Sequence, residues 1–73
     1  MKLKRLIEEA LMTNTEVAQE AKLSVGTVSR MVNATYPVSR LSVRKVLHVL
    51  NQRLNRIIEI EDLEGLNLSS DED

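Results

Sequence analysis

The side chains best suited to chemistry lie close together in the chain: Ser24, Thr27, Ser29, Arg30 and Asn33, with Val25 and Gly26 among them. Their types suit recognition and not reaction. Hydroxyl and amide groups hydrogen-bond phosphate oxygens, and a guanidinium can donate two bonds to the O6 and N7 edge of guanine, worth about 1 to 3 kcal/mol of discrimination between bases. No nucleophile paired with a base accompanies them. His48 is the single histidine, cysteine is absent, and there is no glycine-rich phosphate loop. His48 has no partner at metal-ligand spacing, so the expectation is a non-enzyme with no metal and no cofactor.

For these residues to act together, one element must present them on one face. A helix beginning after Ser24 does so. Val28, Met31 and Val32 fall on its inner side, leaving Val25, Gly26, Thr27, Ser29 and Arg30 outward. Its start has a recognisable grammar. Ser24 is a capping hydroxyl flanked by Leu23 and Val28, the apolar pair of a hydrophobic staple. Thr13 repeats the pattern with Met12 and Val17, and Glu16 completes a capping box. Ser39 repeats it with Val38 and Val43, after Tyr36-Pro37, whose proline biases Tyr36 towards an extended backbone.

Four helices follow from these starts. The first spans roughly Lys2 to Met12 on Leu3, Leu6, Ile7 and Leu11. A short second one carries Val17, Ala18 and Ala21. The third runs from about Val25 to Val32. The longest follows Ser39 to somewhere near Arg56, with Val43, Val46, Leu47, Leu50, Leu54 and Ile57 on one stripe. Residues 57–63 alternate in a way that suits a strand, a continued helix or an intermolecular contact. Residues 67–73 hold too little apolar surface to offset their ordering entropy and are expected to be disordered.

Composition agrees with an all-helical domain. Apolar residues make up 42% of the 73, Tyr36 is the lone aromatic, and there are two Gly and one Pro, a poor palette for a sandwich or barrel. No apolar run approaches the roughly 20 residues needed to span a bilayer. The net charge of -1 conceals a division. All ten Lys and Arg lie between Lys2 and Arg56, against four Glu, a net +6, while the seven acidic residues beyond carry -7. A basic body suits an anionic partner, and an acidic end can compete for it.

Two short helices separated by about three residues, Asn14 to Glu20 and Val25 to Val32, have the dimensions of a helix-turn-helix. Ala18 is small where the helices cross, Leu23 plugs the turn, and Val28 and Met31 anchor the second helix. The stretch from Glu16 to Asn33 resembles the DNA-binding headpiece of the lac repressor family. The likeness rests on the Glu16-Val17-Ala18 opening and on Thr27-Val28-Ser29-Arg30-x-x-Asn33, and continues through Val38-Ser39, Ser42 and Lys45-Val46-Leu47. The resemblance implies a small four- to five-helix lambda-repressor-like fold that binds double-stranded DNA and regulates transcription in bacteria or their phages. It implies that Val25, Gly26 and Arg30 face base edges, and that Ser24, Thr27, Ser29 and Asn33 contact phosphates. Three departures stand out. A helix precedes the headpiece, no ligand-sensing domain follows it, so no small-molecule effector is expected, and Lys22 occupies the turn position where glycine is usual.

Physical arguments run alongside. The start of a helix at Ser24 offers free amides to a phosphate, as does the start at Thr13 and Asn14. Gly26 inside a helix costs about 1 kcal/mol relative to Ala, which makes sense if the protein backbone must approach DNA closely there; a tolerated surface glycine is the plainer reading. Tyr36 either touches sugar or phosphate or covers the core. Arg44, with Arg40 and Lys45, either contacts phosphates or is a solvated face. The domain is expected over residues 1–56, a joining or capping segment over 57–66, and an acidic tail over 67–73. Ile57, Ile58, Ile60 and Leu63 are the expected homodimer surface, because one headpiece reads few base pairs. Cytoplasmic, nucleoid-associated residence follows. Rival readings are an accessory factor in phage or plasmid recombination, replication or partition, and an antitoxin-like adaptor that binds another protein.

Overall fold

Each of the three hydroxyl caps forms. In the computed structural model, which describes residues 1–68, Thr13 Oγ1 accepts from the Glu16 amide at 3.1 Å while Glu16 Oε1 accepts from the Thr13 amide at 2.9 Å. Ser24 Oγ accepts from the Thr27 amide and Ser39 Oγ from the Ser42 amide, both at 3.1 Å. Each satisfies an amide that the first helical turn leaves without a carbonyl. The helices that result are α1 (Leu3–Glu9), α2 (Asn14–Ala21), α3 (Val25–Asn33) and α4 (Arg40–Leu54). Among the described residues there is no strand; the fold is all-α, of the small lambda-repressor-like kind.

The helix ends share a feature that the sequence hides. α1, α2, α3 and α4 are followed by Leu11, Lys22, Ala34 and Asn55, each left-handed with φ between 55° and 59°. After each, the next amide bonds back five residues: Met12 to Ile7, Leu23 to Ala18, Thr35 to Arg30 and Arg56 to Asn51. These are Schellman-type endings, usually built on glycine. They stop α1 and α4 short of the expected Met12 and Arg56. Because α4 stops at Leu54, the apolar stripe breaks: Ile57 is 86% exposed and Val49 is buried instead.

The core is entirely aliphatic. Val17, Val28, Val43, Val46 and Leu50 are fully enclosed, and Leu3, Leu6, Ile7, Met31 and Leu47 close around them. α2 packs against α3 with Ala18 buried, and Leu23 packs against the core from the turn between them.

Residues 57–68 form neither a strand nor a continued helix. They are a strap that folds back over their own chain. Asn51 turns it: its Oδ1 accepts from the Ile58 amide at 3.0 Å and its Nδ2 donates to the Ile58 carbonyl at 3.3 Å. Ile58 is buried, a single 3-10 turn follows at Ile60–Asp62, and Ile60, Leu63, Leu66 and Leu68 pack on the core. The strap bridges Lys2 through Glu64 and Val38 through Leu68, with the Val38 amide donating to the Asn67 carbonyl at 2.8 Å. Asn67 and Leu68, expected in the acidic tail, therefore belong to the folded body, because Leu68 has apolar surface to bury. The rest of the expected tail, residues 69–73, lies outside the described residues. No helix among the described residues is long and apolar enough to cross a membrane.

Candidate nucleic-acid interface

The turn between α2 and α3 is three residues, Lys22, Leu23 and Ser24. Lys22 takes the left-handed conformation, φ 59° and ψ 43°, which costs a non-glycine residue about 1 kcal/mol or more. The Leu23 amide donates to the Ala18 carbonyl at 2.8 Å, and the Leu23 side chain supplies apolar contact beneath. These interactions hold the turn where its residue type alone would not.

α3 is anchored by Val28 and Met31, both essentially inaccessible to solvent. Its outer face carries Val25, Gly26 and Arg30, all exposed, with Thr27 and Ser29 half-buried beside them. Ser24 Oγ lies 2.8 Å from Thr27 Oγ1, so the two hydroxyls are mutually oriented at the amino end of α3. At the other end Asn33 Nδ2 points to Ser29 Oγ at 3.5 Å. The amides of Val25 and Gly26 come too early in the helix to reach a helical carbonyl. A Cβ built on Gly26 would meet only Ser24 Oγ, at 3.9 Å. Nothing inside the protein therefore requires a glycine there.

Tyr36 covers no core. It is 59% exposed, and the Arg30 guanidinium sits over its ring, 5.6 Å from the centroid. No spacing rule pairs these two residues; the left-handed turn at Ala34 and the Tyr36-Pro37 kink bring the ring beneath the arginine. The residues of α3 and its following loop thus form one continuous surface. Thr13 and Asn14 form the start of α2, and the Thr13 hydroxyl is committed to its capping box. Arg44 stands apart. With His48 it lines two clefts on α4, one shared with Arg40, Glu59 and Glu61 and the other with Lys22 and Lys45, and no α3 residue lines either.

Of the four expected joining residues, Ile58 is buried in its own chain, Ile60 and Leu63 pack against the core, and Ile57 is exposed. Sequence reading missed Asn51, whose amide orders the strap. An asparagine one turn before a helix end carries no pattern that could have shown this.

Electrostatics sort the basic residues. Among the described residues Arg53 pairs with Glu20 at 2.8 Å and Arg56 with Glu9 at 3.1 Å. Arg30, Arg40, Arg44, Lys22 and Lys45 have no such carboxylate among the described residues, which leaves their charge available to a ligand there.

Two short packed helices joined by a three-residue turn, the second anchored beneath and carrying outward an arginine with no carboxylate partner among the described residues, define a DNA-binding helix-turn-helix domain. The family model described as bacterial regulatory proteins, lacI family, matches residues 13–54. That is more than half of the chain, which belongs to this family. Its regulatory domain binds double-stranded DNA. Comparison with curated proteins and with solved structures finds no match.

Proposed function

We propose that the protein is a sequence-specific transcriptional regulator that docks α3 in the major groove of double-stranded DNA. The observation that carries this reading is Arg30: exposed, without a carboxylate partner among the described residues, and held over the Tyr36 ring at 5.6 Å. In this reading Arg30 donates to a guanine edge, and Val25 and Gly26 lie against neighbouring base edges. Ser24, Thr27, Ser29 and Asn33 contact phosphates, as do Thr13 and Asn14 at the start of α2 and Tyr36 beyond α3. Arg44 would reach a phosphate from α4. In this reading the chain acts by binding DNA, with no catalytic step, and it acts in the cytoplasm.

A homodimer completes the reading, because one α3 spans too few base pairs for useful specificity. The support for a joining surface is Ile57 and Leu11, 86% and 90% exposed, each within two residues in the chain of a member of the Arg56 to Glu9 ion pair.

Selection from a random duplex library at near-physiological salt, with wild type and Arg30→Ala in parallel, tests this. An inverted repeat enriched by wild type, with one base preference lost in the variant, is expected. Equal and sequence-independent weakening by Arg30→Ala would show that α3 does not read bases.

A further inference from the structure

Beyond the residues matched to the family, the amino end of the chain brings positive charge to the far end of the recognition helix. A surface cleft of about 350 Å³ is lined by Lys2 and Lys4 on one side, by Asn33 and Ala34 at the carboxyl end of α3 on another, and by Glu64 and Gly65 of the strap. Both lysines are exposed, and among the described residues neither has a carboxylate within ion-pair distance. Glu64, the one acid lining the cleft, is engaged: its Oε2 holds the chain's amino group at 3.3 Å.

The backbone at this edge is firmly held. Lys2 is bridged to Glu64, the Glu64 amide donates to the Met1 carbonyl at 2.8 Å, and the Lys2 carbonyl accepts from the Arg5 and Leu6 amides. The lysine side chains therefore project from a fixed base. The distribution of acids sharpens the point. Glu9 and Glu20 neutralise Arg56 and Arg53 at the carboxyl end of α4, whereas the charge beside Asn33 is left free.

We propose that Lys2 and Lys4 form a phosphate-binding edge that extends the DNA contact past the carboxyl end of α3, onto the backbone flanking the bases that α3 reads. The inference rests on the recognition-helix reading above and deepens it. The strap and α1 exist, on this account, partly to carry that edge: the bridge to Glu64 sets Lys2 at the end of α3. Ammonium groups are suited to the task, since they act as point charges on phosphate and carry no base preference.

The test is the full chain carrying Lys2→Gln and Lys4→Gln, titrated between about 50 and 200 mM salt against the duplex that wild type selects and against random duplex of equal length. Each phosphate contact contributes about 0.9 to the slope of log affinity against log salt. The expected result is a slope shallower by about 1 to 2, with both duplexes weakened alike and the base preference intact. Lys4→Arg should retain the wild-type slope. An unchanged slope overturns the proposal, and an unchanged slope with a lowered Tm assigns the lysines instead to offsetting the negative end of the α3 dipole. Failure of wild type to bind any duplex would remove the recognition-helix reading and this edge together, while wild-type binding with an unaltered slope in the variant removes the edge alone.

Discussion

The Arg30 guanidinium lies over the Tyr36 ring, 5.6 Å from its centroid, so the arginine that faces outward from α3 is backed by the chain's only aromatic side chain. Such stacking is worth about 0.5 to 1 kcal/mol at an exposed site. Its larger effect is on entropy, since a long side chain restrained before binding loses less freedom on contact with a base edge. We predict that Tyr36→Ala weakens binding to the selected duplex by at least twofold to fivefold, roughly the stacking energy alone, while Tyr36→Phe, which keeps the ring and gives up only the hydroxyl's phosphate contact, loses less. Competition titrations measure both. Equal losses for the two variants would mean that the hydroxyl, and not the ring, matters.

Gly26 is open to solvent, and an added methyl would meet only Ser24 Oγ at 3.9 Å. In isolation Gly26→Ala should stabilise the fold by about 0.5 to 1 kcal/mol, the usual helical difference between these residues. DNA binding should fall at the same time, because the methyl occupies the space through which a base edge would approach. Thermal unfolding and a binding titration on the same sample decide it. Higher stability with unchanged affinity would make Gly26 an ordinary surface glycine.

Lys22 holds φ 59° in the turn, where glycine is free of the steric conflict that a Cβ meets. Relief of that conflict is partly offset by the greater freedom of glycine in the unfolded chain. Lys22→Gly is expected to gain roughly 0.5 to 1 kcal/mol net, which for a domain of this size is a Tm rise of a few degrees. A fall in Tm would show that the lysine stem contributes packing that outweighs its strain.

Asn51 bonds both the amide and the carbonyl of Ile58. Asn51→Ala leaves that backbone pair without its partners at a half-buried site, a loss of about 1 to 3 kcal/mol. Denaturant unfolding with an unchanged m-value should report it. A loss near zero would mean that the buried Ile58 side chain alone holds the strap.

Leu68 pairs with Val38, two residues from Tyr36, and Asp71, Glu72 and Asp73 follow. Leu68 itself therefore lies close to the loop that follows α3. Removing residues 69–73 should tighten binding to random DNA at low salt, and the gain should shrink near 0.1 M, where screening acts over about 10 Å. Equal random-DNA affinity for both forms at low salt would sink this role.

Much of the domain is legible in the sequence. The hydroxyl caps at Thr13, Ser24 and Ser39, the staples around them, and the helical spacing of Val28 and Met31 or Val43, Val46 and Leu50 are local patterns, and local hydrogen bonds and amphipathic burial follow from them directly. The same residues carry the family signature, so the helix-turn-helix and its outward arginine were evident together. Other features depended on chain segments far apart in sequence. The four helix ends use Leu11, Lys22, Ala34 and Asn55 in a conformation that residue type argues against, because tertiary packing and the five-residue backbone bonds outweigh about 1 kcal/mol of local strain at each. The apolar residues from Ile58 to Leu68 could serve a partner or their own core with equal local logic. Only the tertiary structure decided between these for Ile58, since the Asn51 amide and the exposed flank of α1 and α4 lay within reach of the same chain. The approach of Tyr36 to Arg30, and of Lys2 and Lys4 to Asn33, likewise arose from how the helices pack and not from any spacing along the sequence.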